Sequence, residues 1–278
     1  MSRSKMQDKG KFRENLNDKF YTDPKIASHC IQQMLAHCPQ AIESWIWIEP
    51  SAGSGSFLKE VPSTITVIGM DIEPEEKGIQ QQDYLKWSPP LPLQNTYLVF
   101  GNPPFGRQSS MAKAFIRKSG SFASVIAFIL PKSFTKPSMY HAFDPHFHLL
   151  HTEDLPCDSF RLNGAPYDVP CIFQIWEKRE EVRRQEEKVE AIGFEYVKGT
   201  EVYDMACRRV GVYAGKCFLP NEKGYSLQSH YFIRFDDPNT NTEEVIEQMN
   251  AHTFPSNTVG PRSLSKSEIN QVLNSFIY

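Results

Sequence analysis

Tyr97-Leu98-Val99-Phe100-Gly101-Asn102-Pro103-Pro104-Phe105 joins an apolar, β-prone run to a turn of unusual chemistry. The run is too apolar for a surface loop and reads as a buried strand. Two consecutive prolines fix φ and carry no N–H, so their carbonyl oxygens need partners from outside the strand. An amide side chain and a carbonyl are then offered at a strand end, and open α/β sheets bind ligands at the carboxyl ends of their strands. The Asn102 side-chain oxygen and the Pro103 carbonyl are acceptors, and an exocyclic amino group has two hydrogens to donate. In adenine or cytosine that nitrogen is a poor nucleophile, because its lone pair is delocalised into the ring. Two acceptors drawing on its hydrogens favour a pyramidal, more reactive nitrogen, and no strong base is required. Phe105 offers a ring for stacking on the base. A bare Asn-Pro-Pro-Phe also suits an ordinary capped turn, so the functional reading needs a second site.

That site lies upstream. Ser44-Trp45-Ile46-Trp47-Ile48-Glu49 reads as a strand and enters Pro50-Ser51-Ala52-Gly53-Ser54-Gly55-Ser56-Phe57. Glycines there permit positive φ and close approach of a ligand to the backbone. No Gly-Lys-Ser/Thr follows, and the Gly-x-Gly-x-x-Gly spacing is absent, so neither a Walker loop nor a dinucleotide fingerprint is present. Thr66-Val67-Ile68-Gly69-Met70-Asp71 is a further strand, ending in an acid suited to ribose hydroxyls. Gln82-Asp83-Tyr84-Leu85 sets an acid beside an aromatic, as an adenine ring with its amino group requires.

In this order the motifs resemble those of the S-adenosylmethionine-dependent amino-methyltransferases that act on nucleic acids, with the cofactor motif before the catalytic motif. Glu49-Pro50-Ser51-Ala52-Gly53-Ser54-Gly55 resembles their first motif, Asp71-Ile72 their second, Asp83-Tyr84 their third and Asn102-Pro103-Pro104-Phe105 their fourth. Phe20-Tyr21-Thr22-Asp23-Pro24 is similar to the segment that closes over the methionine part of the cofactor, except that Asp23 separates Thr22 from Pro24. Lys132-Ser133-Phe134 resembles the sixth motif, and Phe160 falls where related enzymes keep an aromatic on the opposite face of a flipped base. The resemblance implies S-adenosyl-L-methionine as cofactor, bound by Tyr21, Thr22, Glu49, Pro50, Ala52, Gly53, Gly55, Phe57, Asp71, Ile72, Asp83, Tyr84 and Asn102. It implies catalysis by Asn102, Pro103, Pro104, Phe105 and Phe160. Adenine N6 is the expected acceptor, since the N4-cytosine relatives more often carry Ser or Asp at the Asn102 position and Tyr or Trp at the Phe105 position. DNA is slightly favoured over RNA, whose cap, ribosomal and spliceosomal adenine enzymes share the tetrapeptide. A cofactor-binding subunit that presents nucleic acid to an active partner stays open, as does N-methylation of glutamine or of a small molecule, since release-factor enzymes share a similar Asn-Pro-Pro turn with Tyr usual in place of Phe105.

The length of 278 residues suits one catalytic domain plus a modest appendage, and an apolar fraction of 40% supports a core. A net charge of −3 excludes a globally basic nucleic-acid binder, so any phosphate-binding surface has to be local. Arg3, Lys5, Lys9, Lys11 and Arg13 make residues 1–18 read as a flexible basic arm. The six cysteines show no paired Cys-x-x-Cys spacing and are expected to be reduced thiols. With no signal peptide and no apolar run long enough to span a bilayer, the expectation is an intracellular protein, cytoplasmic or nuclear, without a membrane partner. His141, His146, His148 and His151 follow no helical ligand spacing, and no metal is expected.

The pattern predicts an α/β fold: a doubly wound, mostly parallel, seven-stranded Rossmann-like sheet with a small C-terminal α+β module. Strands are expected near 45–49, 66–71, 97–101, 124–130, 147–153 and 169–177, the last two antiparallel. Helices are expected at Pro24 to Cys38, with Ile26, Ile31, Met34 and Leu35 on its apolar stripe, in a short piece after Ser54, and from Ser110 to Ser119. The domain boundaries follow as a basic arm at 1–18, the catalytic domain at 19–178, a charged helix or linker at 179–192 and a module at 193–278. Tyr231 to Phe235, Thr242 to Met249 and Ser265 to Phe276 supply the module's strand and helices, the last opened by the capping box Ser265-x-x-Glu268. Arg208, Arg209 and Lys216, in a hairpin-like run with glycines and Tyr213, are the candidate nucleic-acid contacts.

Overall fold

The computed structural model describes residues 21–90, 95–162, 165–184, 188–221, 224–254 and 262–277. The expected basic arm therefore lies outside the described residues, as do Lys19 and Phe20. The chain divides into two compact units, Met1–Arg183 and Arg184–Tyr278.

In the first unit β1 (Tyr21–Thr22) leads into α1 (Pro24–His37), and β2 (Ile46–Glu49), β3 (Thr66–Asp71), β4 (Gln80–Gln81) and β5 (Tyr97–Gly101) follow. After α2 (Ser110–Gly120) come β6 (Val125–Pro131), β7 (Phe147–Asp154), β8 (Phe160–Leu162), β9 (Ala165–Tyr167) and β10 (Cys171–Lys178). Seven strands form one sheet in the order β4-β3-β2-β5-β6-β10-β7. All run parallel except β10, which is antiparallel to both neighbours. The expected seven-stranded sheet with one reversed strand is present, and the reversed strand lies inside it. Every residue of β5 and β6 is buried, which is why both read as continuous apolar runs rather than alternating ones. Trp176 closes one end of the core, stacked on Phe143 with centroids 4.1 Å apart.

Several local expectations change. Among the described residues no α-helix follows Ser54; the connection from β2 to β3 contains one 3-10 turn, Leu58–Glu60. Left-handed Gly53 and Gly55 (φ +49° and +73°) and Pro62 leave too short a stretch for a longer helix. The buried stripe of α1 is Ala27, Cys30, Ile31 and Met34, while Leu35 stands exposed, because small residues let the helix approach the sheet. Asp23, the departure from the Thr-Pro pattern, accepts from the Lys25 N–H as N-cap of α1 and pairs with Arg161 at 2.7 Å. The run 179–190 is not helical in its described part. Arg183 turns back instead, with its guanidinium 5.2 Å from the Trp176 ring and donating to the Tyr140 and Phe147 carbonyls.

The second unit holds β11 (Phe194–Val197), β12 (Met205–Arg208), β13 (Cys217–Phe218) and β14 (His230–Phe235), paired antiparallel in the order β11-β14-β12-β13. Helices α3 (Thr242–Ala251) and α4 (Lys266–Ile277) contribute Val245, Met249, Ile269 and Leu273 to its core. The capping box forms at α4: the Glu268 N–H donates to Ser265 Oγ at 3.2 Å and the Ser265 N–H to Glu268 Oε2 at 2.8 Å. No helix among the described residues is long and apolar enough to cross a membrane.

Candidate cofactor and acceptor cleft

The strand order reverses between β2 and β5, and a cleft of about 370 Å³ opens at the carboxyl edge there. The end of β2 and the turn after it line it with Glu49, Pro50, Ala52 and Gly53, the end of β3 and its sequel with Asp71 and Ile72, and the turn after β5 with Asn102, Pro103, Pro104 and Phe105. Tyr21 and Thr22 of β1, with Phe57 and Tyr84, are further lining residues foreseen from sequence. Motifs spread over more than 80 residues of chain thus share one cavity.

Hydrogen bonds fix these loops to one another. Asp71 accepts the Gly53 N–H on Oδ2 and the Glu73 N–H on Oδ1, each at 2.8 Å. Each carboxylate oxygen has a second lone pair, so this clamp leaves acceptor capacity facing the cleft. Ser51 Oγ donates to the Asn102 carbonyl at 3.1 Å and ties the glycine turn to the Asn-Pro-Pro-Phe turn. Gly101 has φ +124°, and a Cβ there would stand 3.1 Å from Glu49 Cγ, so only glycine lets β5 end over the Glu49 side chain. The Phe105 carbonyl accepts from the N–H groups of Met111 and Ala112 at 3.1 and 3.3 Å, which anchors the Asn-Pro-Pro-Phe turn to the start of α2. The Tyr21 ring rests on Gly53, and its hydroxyl donates to Glu75.

Asp83 and Gly55 do not line the cleft. The Asp83 carboxylate accepts the Leu85 N–H at 3.1 Å and pairs with Lys86 at 3.0 Å, so it caps its own turn. Tyr84 forms part of the floor, fully buried, with its hydroxyl 2.8 Å from Ser119 Oγ. Phe160 is 1% exposed and is not among the lining residues; β8 pairs it with Thr22 in the small β1-β8-β9 sheet. The β8–β9 hairpin that holds Phe160 was not foreseen from sequence. Ser51, Ser54, Ser56, Glu73, Glu75 and Phe115 also line the cleft and were not singled out from sequence. For Phe115 a signal existed, the helical spacing of Ala112, Phe115, Ile116 and Ser119 directly after the turn.

In the second unit, Arg208, Arg209 and Lys216 share the β12–β13 hairpin, each with an internal partner. Arg208 Nε donates to the Val210 carbonyl at 3.1 Å, Arg209 Nε to that of Gln228 at 3.2 Å, and Lys216 to that of Asn250. Arg208 also lies over the Tyr213 ring and Arg209 over that of Tyr231, at 5.9 and 5.3 Å.

Glu49 is the most perturbed acid in the cleft. Burial, then the Asp71 carboxylate, push it well above the ordinary 4.5, and the Leu58 N–H only partly offsets this. Among the described residues its Oε2 has no hydrogen-bond partner. Between its ordinary value and the raised one, the carboxyl holds its proton in the folded chain and loses it in the unfolded chain. The folded state therefore binds more protons, and stability falls as pH rises from there toward the folded pKa. Glu49→Gln removes this loss. Its Tm is expected to exceed that of the parent by a margin that widens as pH rises above the ordinary carboxyl value of 4.5. A margin independent of pH, by thermal denaturation followed by circular dichroism, would contradict the assignment.

No protein-family model and no curated protein matches the chain. Solved structures do. A provisionally assigned RNA methyltransferase from Pyrococcus horikoshii is 16% identical, over 59% of this chain and 90% of its own, with a TM-score of 0.46. A type I restriction-modification methyltransferase subunit from Streptococcus thermophilus is 17% identical over 58% of this chain and 45% of its own, at 0.44. Magnesium protoporphyrin IX methyltransferase from Synechocystis, solved with S-adenosylmethionine bound, is 10% identical over 56% and 79%, at 0.40.

Proposed function

We propose that the chain transfers a methyl group from S-adenosylmethionine to the exocyclic N6 of adenine in nucleic acid, DNA somewhat before RNA. The observation that carries this reading is that the glycine turn and the Asn-Pro-Pro-Phe turn line one cleft and are joined by the Ser51–Asn102 hydrogen bond. The lining suits such a cofactor. Asp71, Glu73 and Glu75 make one side acidic toward a cation, and Ile72, 61% exposed, sets an apolar surface beside them. A volume of about 370 Å³ falls within the range of small-molecule sites. Asp71 serves the ribose hydroxyls, the Gly53 turn approaches the cofactor closely, and Tyr21 covers it.

Bound there, S-adenosylmethionine supplies an electrophilic methyl group on a sulfonium. The chain's own residues prepare the nucleophile. Asn102 Oδ1 and the Pro103 carbonyl accept the two amino hydrogens, and Phe105 holds the base by its face. Catalysis is then positioning plus electrostatic polarisation in a site whose acceptors are already oriented. Pro103 and Pro104 stiffen those acceptors, since neither can rotate about φ. Incubation with radiolabelled cofactor and duplex DNA, single-stranded DNA, RNA or protein tests the reading. Label entering nucleic acid is expected; label on protein alone, or on none of the four with cofactor bound, would overturn it.

A further inference from the structure

From Tyr84 to Phe143 the sequence contains no Asp or Glu, although the chain holds 33 of them, and it contains seven of the 30 lysines and arginines. Within a chain of net charge −3 this is a strongly basic island, and it includes the Asn-Pro-Pro-Phe turn. The fold concentrates part of it. β5 and β6 are adjacent and parallel, so the segments leaving their carboxyl ends emerge on the same edge. Arg107 and Lys113 follow the end of β5, while Lys132 and Lys136 follow the end of β6. Arg107 is exposed and Lys113 half-buried, and neither has a carboxylate within ion-pair distance among the described residues. Lys132 meets Asp154 at 2.9 Å, a solvent-exposed pair of little energetic weight that a phosphate can replace.

The backbone that presents Arg107 is strained. Gln108 and Ser109 are left-handed at φ +53° and +59°, Gly106 on the other side of Arg107 also has positive φ (+66°), and two adjacent non-glycine residues in that region are costly. Such strain persists where surrounding structure over-determines it, here through the two α2 N–H groups held by the Phe105 carbonyl. The edge is thus electrically divided. Its β2–β3 half carries Asp71, Glu73 and Glu75, and its β5–β6 half carries the cations.

We infer that Arg107, Lys113, Lys132 and Lys136 form the phosphate track of the nucleic-acid substrate, on the first unit beside the catalytic turn. This rests on the nucleic-acid reading above and moves the main electrostatic contact away from Arg208, Arg209 and Lys216, which already spend donors on their own unit. Each phosphate neutralised releases condensed counterions, so the track has a salt signature.

The test uses the full chain and a fluorescein-labelled mixed-sequence single-stranded DNA, titrated by anisotropy over a range of NaCl. The double variant Arg107→Glu with Lys113→Glu is expected to weaken binding by at least about tenfold at low salt. The slope of log K against log[NaCl] should shrink by about 1.4, at about 0.7 per lost phosphate. Calorimetric affinity for S-adenosylmethionine should not change, which also reports that the fold is intact. Arg107→Gln with Lys113→Gln should move both readings in the same direction by less. Parent-like binding by the Glu pair, or a larger loss from Arg208→Glu with Arg209→Glu, overturns the track. A parent chain that binds cofactor but neither this DNA nor an RNA of the same sequence overturns instead the nucleic-acid reading beneath it.

Discussion

Replacing Asn102 with alanine is expected to abolish measurable methyl transfer while cofactor affinity stays at the parent level. Asn102 lines the cleft directly after β5, and in the proposed reaction it accepts an amino hydrogen of the base rather than touching the sulfonium. Removing one oriented polar group from a transition-state site costs about 10²–10³ in rate, roughly 3–4 kcal/mol. The effect should fall on kcat and kcat/KM alike, because the interaction strengthens as the amino group turns nucleophilic. The backbone at this position is held by the Ser51 hydroxyl through the Asn102 carbonyl, which alanine keeps, so the turn should survive. Calorimetry with cofactor and single-turnover kinetics separate the outcomes. A parallel loss of cofactor binding would show that Asn102 is structural and would remove the acceptor role.

Asp71→Ala is expected to do the opposite: cofactor affinity collapses, by about 10²-fold or more. Two main-chain N–H groups, of Gly53 and Glu73, lose their 2.8 Å partner at once. Hydrogen bonds to a charged acceptor contribute about 1.5–3 kcal/mol each when sheltered, and Asp71 is only half-buried. A total near 3 kcal/mol is therefore the expected order, equivalent to about 10²-fold in Kd. Asp71→Asn keeps one acceptor oxygen and should fall between. Unchanged cofactor affinity in Asp71→Ala, with an unchanged circular dichroism spectrum, would show that the carboxylate neither clamps the turn nor meets the ribose.

Much of this fold was legible because its central strands are buried on both faces. Tyr97–Gly101 and Val125–Pro131 have no solvent side, so their sequences carry an unbroken apolar signal. The reversed pairing of β10 was legible from the lack of any helix between it and β7. The small elements were not. β4 is two residues long, and β8 and β9 are three each, with Arg161 and Pro166 inside them; such pairs are set by tertiary contact rather than by propensity. The stripe of α1 was misread because Ala27 and Cys30 are small and Leu35 is large, while close packing on the sheet rewards the small residues.

The cleft divided along similar lines. Glycines, prolines and the acid at the end of β3 were legible because each does something that few other residues can do. Ser51, Glu73 and Glu75 were not, since a serine or glutamate in a loop is ordinarily solvated and only the folded loop brings it to the cavity. Asp83 shows the reverse: a binding acid expected from sequence that is not among the lining residues and instead accepts the Leu85 N–H and pairs with Lys86. Phe160 belongs with it, an aromatic whose strand partner could not be seen from its own sequence neighbourhood.

The central claim is the reaction at an adenine amino group. It is tested most directly by digesting enzyme-treated DNA and RNA to nucleosides and separating them by liquid chromatography with mass spectrometric detection. N6-methyladenine nucleoside that appears with the parent chain and disappears with Asn102→Ala is the predicted result. Methyl found only on cytosine, or only on ring nitrogens that have no hydrogens to donate to Asn102 and Pro103, would contradict it.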